Sequence, residues 1–304
     1  MLAASSIKAA QLTQQQADSV GLYVEKHGRH VDNISLTGMF TNPFATVRIP
    51  LRLPILQKLS SLELKQLGVK LQCAYDAEGV SAVGVPLKLL HIDTCELHDY
   101  SAALVAALSA LPMLHHLGIS QVLHIDNVAS RGRLNSIPSG ALKALQQLTF
   151  LELSCGLYQP DYLQHLQKLT HLQDVQLALS YRHHYVITAS MLSSLHQLTR
   201  LHLRSGSERF GFEPGALSGR TKLQRLELHD CMPDNAAGLQ QLPSQLPQLQ
   251  QLTYLVWRQG PPILSGMQRS FAPAAAYSAL TASSKLQHLS ISGRTLPPGA
   301  WQQL

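Results

Sequence analysis

Charged residues are scarce: Asp, Glu, Lys and Arg make up only 14% of the 304 residues. With 45% hydrophobic residues beside them, that balance excludes a wholly disordered chain. The net charge of +6 permits acidic partners without requiring nucleic acid. No apolar run approaches the ~18 residues that cross a membrane. The richest stretch, Ala102 to Leu111, is short and broken by Ser109. The opening MLAASSIKAAQLTQQQADS lacks an apolar core of ~7 or more residues, so a secretory signal is not expected. Four cysteines (Cys73, Cys95, Cys155 and Cys231) are too few for a disulfide framework at this length. They read as reduced thiols of an intracellular protein. A Gly-rich phosphate loop, a G-x-S-x-G elbow, H-E-x-x-H and C-x-x-C are all missing. No nucleophile–base pair is visible, so neither catalysis nor a cofactor is expected.

What is abundant is one pattern, L-x-x-L-x-L. Its clearest copies are LQQLTFLEL ending at Leu153, LHQLTRLHL ending at Leu203, KLQRLEL ending at Leu228 and KLQHLSI ending at Ile291. Taking the first apolar residue of each hexamer as an anchor gives Val31, Leu59, Leu87, Leu114, Leu148, Leu172, Leu198, Leu223, Leu252 and Leu286. The steps between anchors are 28, 28, 27, 34, 24, 26, 25, 29 and 34 residues, too even for chance. One repeated unit therefore accounts for nearly the whole chain, and a two-domain split is unnecessary.

The L-x-L half of each copy has period two, which points those side chains to one face of a short strand. Runs with helical spacing lie between the strands. Leu104, Leu108 and Leu111 are one such run; Leu142, Leu145 and Leu148 are another; Leu192 and Leu195 follow the N-cap candidates Thr188 and Ser190. A single copy cannot bury its leucines, whereas stacked copies bury them in a continuous core. Each buried Leu contributes roughly 1.5–3 kcal/mol.

Over almost its whole length, from about Val31 to Ile291, the sequence resembles the leucine-rich-repeat proteins. Position nine after the anchor is Cys95 in the third copy and Cys231 in the eighth. That L-x-x-L-x-L-x-x-C form resembles the cysteine-containing class of F-box receptors and of plant and green-algal proteins. The L-Q-x-L-T-x-L wording and VEKHGRHVDNISL are similar to the green-algal set. Position nine is Gly156, Gly206 or Gly260 elsewhere, and no F-box helix cluster precedes the first repeat. The resemblance implies an α/β fold: a curved right-handed horseshoe with a parallel sheet on the concave face and helices on the convex face. It also implies protein binding, in one of two settings: substrate reception for a ubiquitin ligase, or a scaffold on the cytoskeleton, the ciliary axoneme included. The cytoplasm is the expected compartment, and the nucleus stays open.

Residues 1–30 read as an N-terminal cap, with an amphipathic helix from Gln14 to Lys26 carrying Val20, Tyr23 and Val24 on one side. Residues 31–304 read as about ten repeats, with insertions near 121–145 and 260–284. The chain stops at PPGAWQQL, where a further helix would begin. Either Trp301 makes a minimal cap, or the last repeat is incomplete and its edge partly open, as in a fragment of a longer array; the second is expected.

Fifteen histidines raise the question of metal. His91, Asp93 and His116 could meet on neighbouring strands, but no fixed ligand spacing supports a site, so none is expected. Cys95 and Cys231 read as small buried fillers. Trp257 either replaces a core leucine or, with the register slipped by one, faces out.

Positions three, five and seven, counted from each anchor as one, face away from the leucines. Ten strands at ~4.8 Å make a ribbon roughly 43 Å long. Along it Glu152 and Asp174 precede Arg200, Arg204, Arg225 and Arg258, while Phe150 and Tyr254 flank the zone. His202, Glu227 and His229 fill the positions between. Exposed aromatics and arginines most often carry interface energy. This set is the expected binding site for a protein partner, an acidic or phosphorylated one at the arginines. The alternatives are nucleic acid, which the interleaved carboxylates disfavour, and a merely solvated, charge-balanced face. No membrane partner is expected.

Overall fold

The computed structural model describes residues 5–38, 48–52, 56–72, 86–93, 96–97, 108, 111–120, 123–124, 142–154, 165–179, 185–205, 210–213, 215–229, 245–258 and 284–291. The chain forms two compact units, Met1–Cys155 and Gly156–Leu304.

The first unit opens with strand β1 (Ser5–Leu12), helix α1 (Gln14–His27) and strand β2 (Val31–Gly38). Strands β3 (Arg48–Arg52), β4 (Ser61–Lys65), β5 (Gly68–Gln72), β6 (Leu89–Asp93), β7 (Glu96–Leu97), β8 (His116–Ser120), β9 (Leu123–His124) and β10 (Phe150–Ser154) follow. The principal sheet runs β1-β2-β4-β6-β8-β10, and a second runs β3-β5-β7-β9. The second unit holds β11 (Asp174–Leu179), β12 (Tyr185–Ile187), the short helix α2 (Ala189–Leu192), β13 (Arg200–Ser205), β14 (Phe210–Phe212), β15 (Arg225–His229), β16 (Tyr254–Arg258) and β17 (His288–Ile291). Its principal sheet runs β11-β13-β15-β16-β17, with β12 and β14 paired apart from it.

Neighbouring strands within each unit pair in parallel, in the register the anchors imply. His116 faces Phe150, Asp174 faces Arg200, Arg200 faces Arg225, Arg225 faces Tyr254, and Tyr254 faces His288. This is a leucine-rich-repeat architecture of the α/β class. The first nine anchors are buried, most of them completely, and the tenth, Leu286, is half-buried. Leu289 on β17 keeps 36% of its surface exposed. Trp257 is 2% exposed, which settles it in the core.

The segments before the strands differ from the helices expected there. Leu145 N–H donates to Leu142 O and Leu148 N–H to Leu145 O, a three-residue step repeated at Leu166–Leu169–Leu172 and Leu246–Leu249–Leu252. Leucines at i, i+3 and i+6 match the three-residue turn of a 3-10 helix, which brings each one back to the same side. The described turns are therefore tighter and shorter than α-helices; α2, capped by Thr188, spans only four residues.

The N-terminal stretch holds a strand beside the expected helix. Helix α1 forms, with Thr13 as N-cap: its hydroxyl accepts from Gln16 N–H while Gln16 Oε1 accepts from Thr13 N–H. The helix buries Ala17, Gly21 and Val24, leaving Val20 half-buried and Tyr23 exposed. Strand β1 precedes it and pairs in parallel with β2. The helix is thus the crossover of a β-α-β unit, a connection that parallel strands require.

Adjacent repeats are tied just after each anchor. Thr149 Oγ1 donates to His115 O, Thr199 Oγ1 to Gln173 O, and Thr253 Oγ1 to Gln224 O, each at 3.0–3.2 Å. The same carbonyls accept two backbone N–H groups, as Gln173 O does from Thr199 and Arg200. This explains the Thr of L-Q-x-L-T-x-L. The four cysteines, most of both insertions and everything after Ile291, Trp301 included, lie outside the described residues.

Candidate partner-binding site

The alternation of buried leucine and outward residue puts positions three, five and seven on one face of each strand. Strands β10, β13 and β15 obey it, with every other residue in the core. Gly118 and Val256, both at position five, and Ser120 at position seven are buried exceptions.

The expected site residues fall into two sets. Phe150 and Glu152, half-buried on β10, belong to the first unit. There the Phe150 ring stacks on His116 with centroids 3.8 Å apart. Burial lowers the pKa of His116, nearby His91 lowers it further, and Glu63 opposes both.

Asp174, Arg200, His202, Arg204, Arg225, Glu227, His229, Tyr254 and Arg258 belong to the second unit. The parallel register brings them together. Asp174 pairs with Arg200 at 3.7 Å, and Glu227 Oε1 accepts from Arg225 Nε. Glu227 Oε2 lies 3.3 Å from His229 Nε2. Acidic and basic residues are therefore paired on the face, across strands at Asp174 and Arg200 and along one strand at Arg225, Glu227 and His229. These pairs offset the repulsion between Arg200 and Arg225, which face each other on neighbouring strands. Arg225 also lies 4.0 Å over the Tyr254 ring, and Tyr254 stacks on His288 at 4.2 Å. A strip of guanidinium, phenol and imidazole thus runs across β15, β16 and β17. Arg204 and Arg258 are exposed at position seven of their strands.

Asp174, Gln176, Arg200, His202, Arg225 and Glu227 line an open dish of about 340 Å³. Burial raises the pKa of Asp174, against a hydrogen bond from Gln176 and the charge of Arg200. Burial pushes Glu227 upward too, but hydrogen bonds from Arg225 and His229 outweigh it and hold the carboxyl below its ordinary range. Burial lowers His202, and Glu227 opposes it. Gln176 and His288 were not among the expected site residues. Their positions, five and three, marked them as outward, but only the pairing of rings and amides reveals their part. Elsewhere on the first unit's face His116 stacks on Phe150, and Asp93 accepts from Ser120 Oγ at 2.5 Å.

No family profile and no curated protein matches the chain. Solved structures do. Internalin C2 of Listeria monocytogenes is similar at 16% identity, over 92% of this chain and 84% of its own, with a TM-score of 0.38. The plant peptide hormone receptor RGFR1, solved with RGF2, is similar at 17% identity, over 95% of this chain and 44% of its own, with a TM-score of 0.45. The Arabidopsis receptor kinase HAESA, solved with the peptide hormone IDA and the co-receptor SERK1, is similar at 15% identity, over 95% and 46%, with a TM-score of 0.46. The chain thus spans under half the length of both receptor chains. Among the described residues, no helix is long and apolar enough to cross a membrane.

Proposed function

We infer that this leucine-rich-repeat protein is a non-catalytic interaction module that takes an acidic or phosphorylated segment of a protein partner on the outward sheet face of its second unit. One observation carries the reading. Arg225 is already held in place by Glu227 beside it and by the Tyr254 ring beneath it, at the rim of the dish that Arg200 and His202 also line. A guanidinium fixed before the partner arrives loses less freedom on binding. Its planar fork suits carboxylate or phosphate. The non-catalytic part follows from the missing nucleophile–base motifs. The setting is intracellular, as substrate receptor of a ubiquitin ligase or as a cytoskeletal or axonemal scaffold; proximity labelling in the protein's own cells separates these two.

The test is capture on immobilised acidic and phosphoserine peptide libraries, with single-stranded RNA as competitor. The double reversal Arg200→Glu with Arg225→Glu should abolish capture without loss of sheet content, since both side chains point away from the leucines. Lys222→Glu with Lys285→Glu, exposed in turns before the strands, should leave it intact. A buried, paired Arg is worth roughly 2–5 kcal/mol of binding when removed, and a rim Arg mostly changes the on-rate. If both double reversals act alike, or RNA displaces the peptides with a steep salt dependence, the reading is wrong.

A further inference from the structure

We propose that His202, Glu227 and His229 form a binding site for a divalent cation of the zinc class. His202 sits on β13 directly across from Glu227 on β15, and His229 follows Glu227 by two residues on the same face. One ligand atom from each lies within 4.8 Å of the other two. The Glu227 Oε2 to His229 Nε2 distance is 3.3 Å. Around a four-coordinate zinc with bonds near 2.0 Å, donor atoms stand about 3.3 Å apart. One edge of the tetrahedron is therefore already set, and His202 has to close from within 4.8 Å to the same spacing when the ion binds.

The surroundings support the assignment. Arg225 holds Glu227 Oε1, leaving Oε2 on the histidine side, so the carboxylate is oriented by a neighbour as metal-binding carboxylates commonly are. Two histidines and one carboxylate are the donor set of a three-residue zinc site with a fourth position left for water or a ligand. Here that position would face the open dish, which His202 and Glu227 also line. The nearby cations weaken the site without forbidding it. Arg204 and Arg225 are the cations that bear on His202; Arg204 is exposed and the Arg225 side chain is 43% exposed, so water screens both, and Arg225 is already paired with Glu227.

The experiment is a titration of Co2+ into the full 304-residue chain in chelator-stripped buffer, read by visible absorption, with Zn2+ then added to displace it. One saturating equivalent with the intense bands of low-coordinate cobalt is expected. His202→Ala and His229→Ala should each weaken it at least about 100-fold, more than the loss of an outer-shell partner does. His196→Ala, at an exposed histidine in a turn, should leave it unchanged. Circular dichroism confirms that each variant keeps its sheet. No saturable band, or a band that survives both His202→Ala and His229→Ala, overturns the site. Because the readout is the metal alone, failure of peptide capture has no bearing on it.

Discussion

Arg220 donates from Nη1 to the main-chain oxygen of Leu192, 2.5 Å away and 28 residues earlier in the chain. Its Nη2 reaches Ser193 O at 3.1 Å, and its Nε reaches Ser218 O at 3.3 Å. Arg220 stands where other repeats carry the middle leucine of the three-residue ladder, between Leu217 and Leu223, and only 6% of it is exposed. Burial lowers its pKa, yet its ordinary value is so high that it stays charged. The charge is tolerated because three carbonyls accept from it.

Arg220→Ala is expected to destabilise the protein by about 2–3 kcal/mol, because a buried guanidinium is lost together with its hydrogen bonds to three main-chain oxygens. Arg220→Leu should recover part of this by refilling the ladder, but not all, since Ser193 O loses the Nη2 donor while Leu192 O keeps only its bond from Leu195 N–H. Urea midpoints for the three proteins test the order wild type, Leu, Ala. An Ala variant as stable as wild type would show that the tie contributes nothing.

Gly38→Ala should cost about 1–3 kcal/mol by forcing a backbone shift. A Cβ at Gly38 would stand 2.2 Å from the main-chain oxygen of Gln66. Gln66 has φ of 54°, the left-handed region, so its carbonyl is set by an unusual backbone. Gln66→Gly relieves that conformation and should be neutral or stabilising. Thermal unfolding of both variants checks the pair of opposite signs.

How much of this was legible in sequence depends on which physical signal each feature leaves. The anchors, the parallel register and the outward rows follow from an apolar period, and Leu151, Leu201 and Leu226 each lie where that period puts them. The helices were overread, because Leu142, Leu145 and Leu148 satisfy both a helical stripe and a three-residue turn, and only hydrogen bonding decides. Strand β1 was missed because SSIKAAQL carries no L-x-L. In the candidate site, charge signs were legible and pairings were not. Asp174 with Arg200, and Arg225 with Glu227, depend on which rotamers meet across and along strands.

Thr199→Val should cost about 0.5–1.5 kcal/mol, the usual worth of one hydrogen bond, since the shape is conserved and only the hydroxyl bond to Gln173 O at 3.0 Å is lost. Two backbone N–H groups still serve that oxygen, so the larger penalty of a stranded acceptor should not appear. A loss above ~3 kcal/mol in chemical denaturation would mean the threonine does more than donate one bond.

The His116 imidazole should titrate below 6.5 in a proton NMR series, because burial and His91 disfavour its charged form. His91→Asn should raise it and Glu63→Gln should lower it further. With the folded value depressed, the unfolded chain binds the proton more readily, so His116 removes stability as pH falls through 6.5. An imidazole that titrates at or above that value would contradict the burial of the stacked ring.

The strand-to-strand register is indifferent to the length of chain between strands. His116 faces Phe150 across a 34-residue step, and Arg200 faces Arg225 across one of 25. The face works like a ruler whose marks are cut by main-chain bonding, while slack between marks is paid out elsewhere. Mutation can therefore lengthen or rewrite the connecting segments without moving any outward residue relative to its neighbour. It can also exchange outward residues one at a time without touching the leucines. Recognition and stability are free to evolve at separate rates in such a chain.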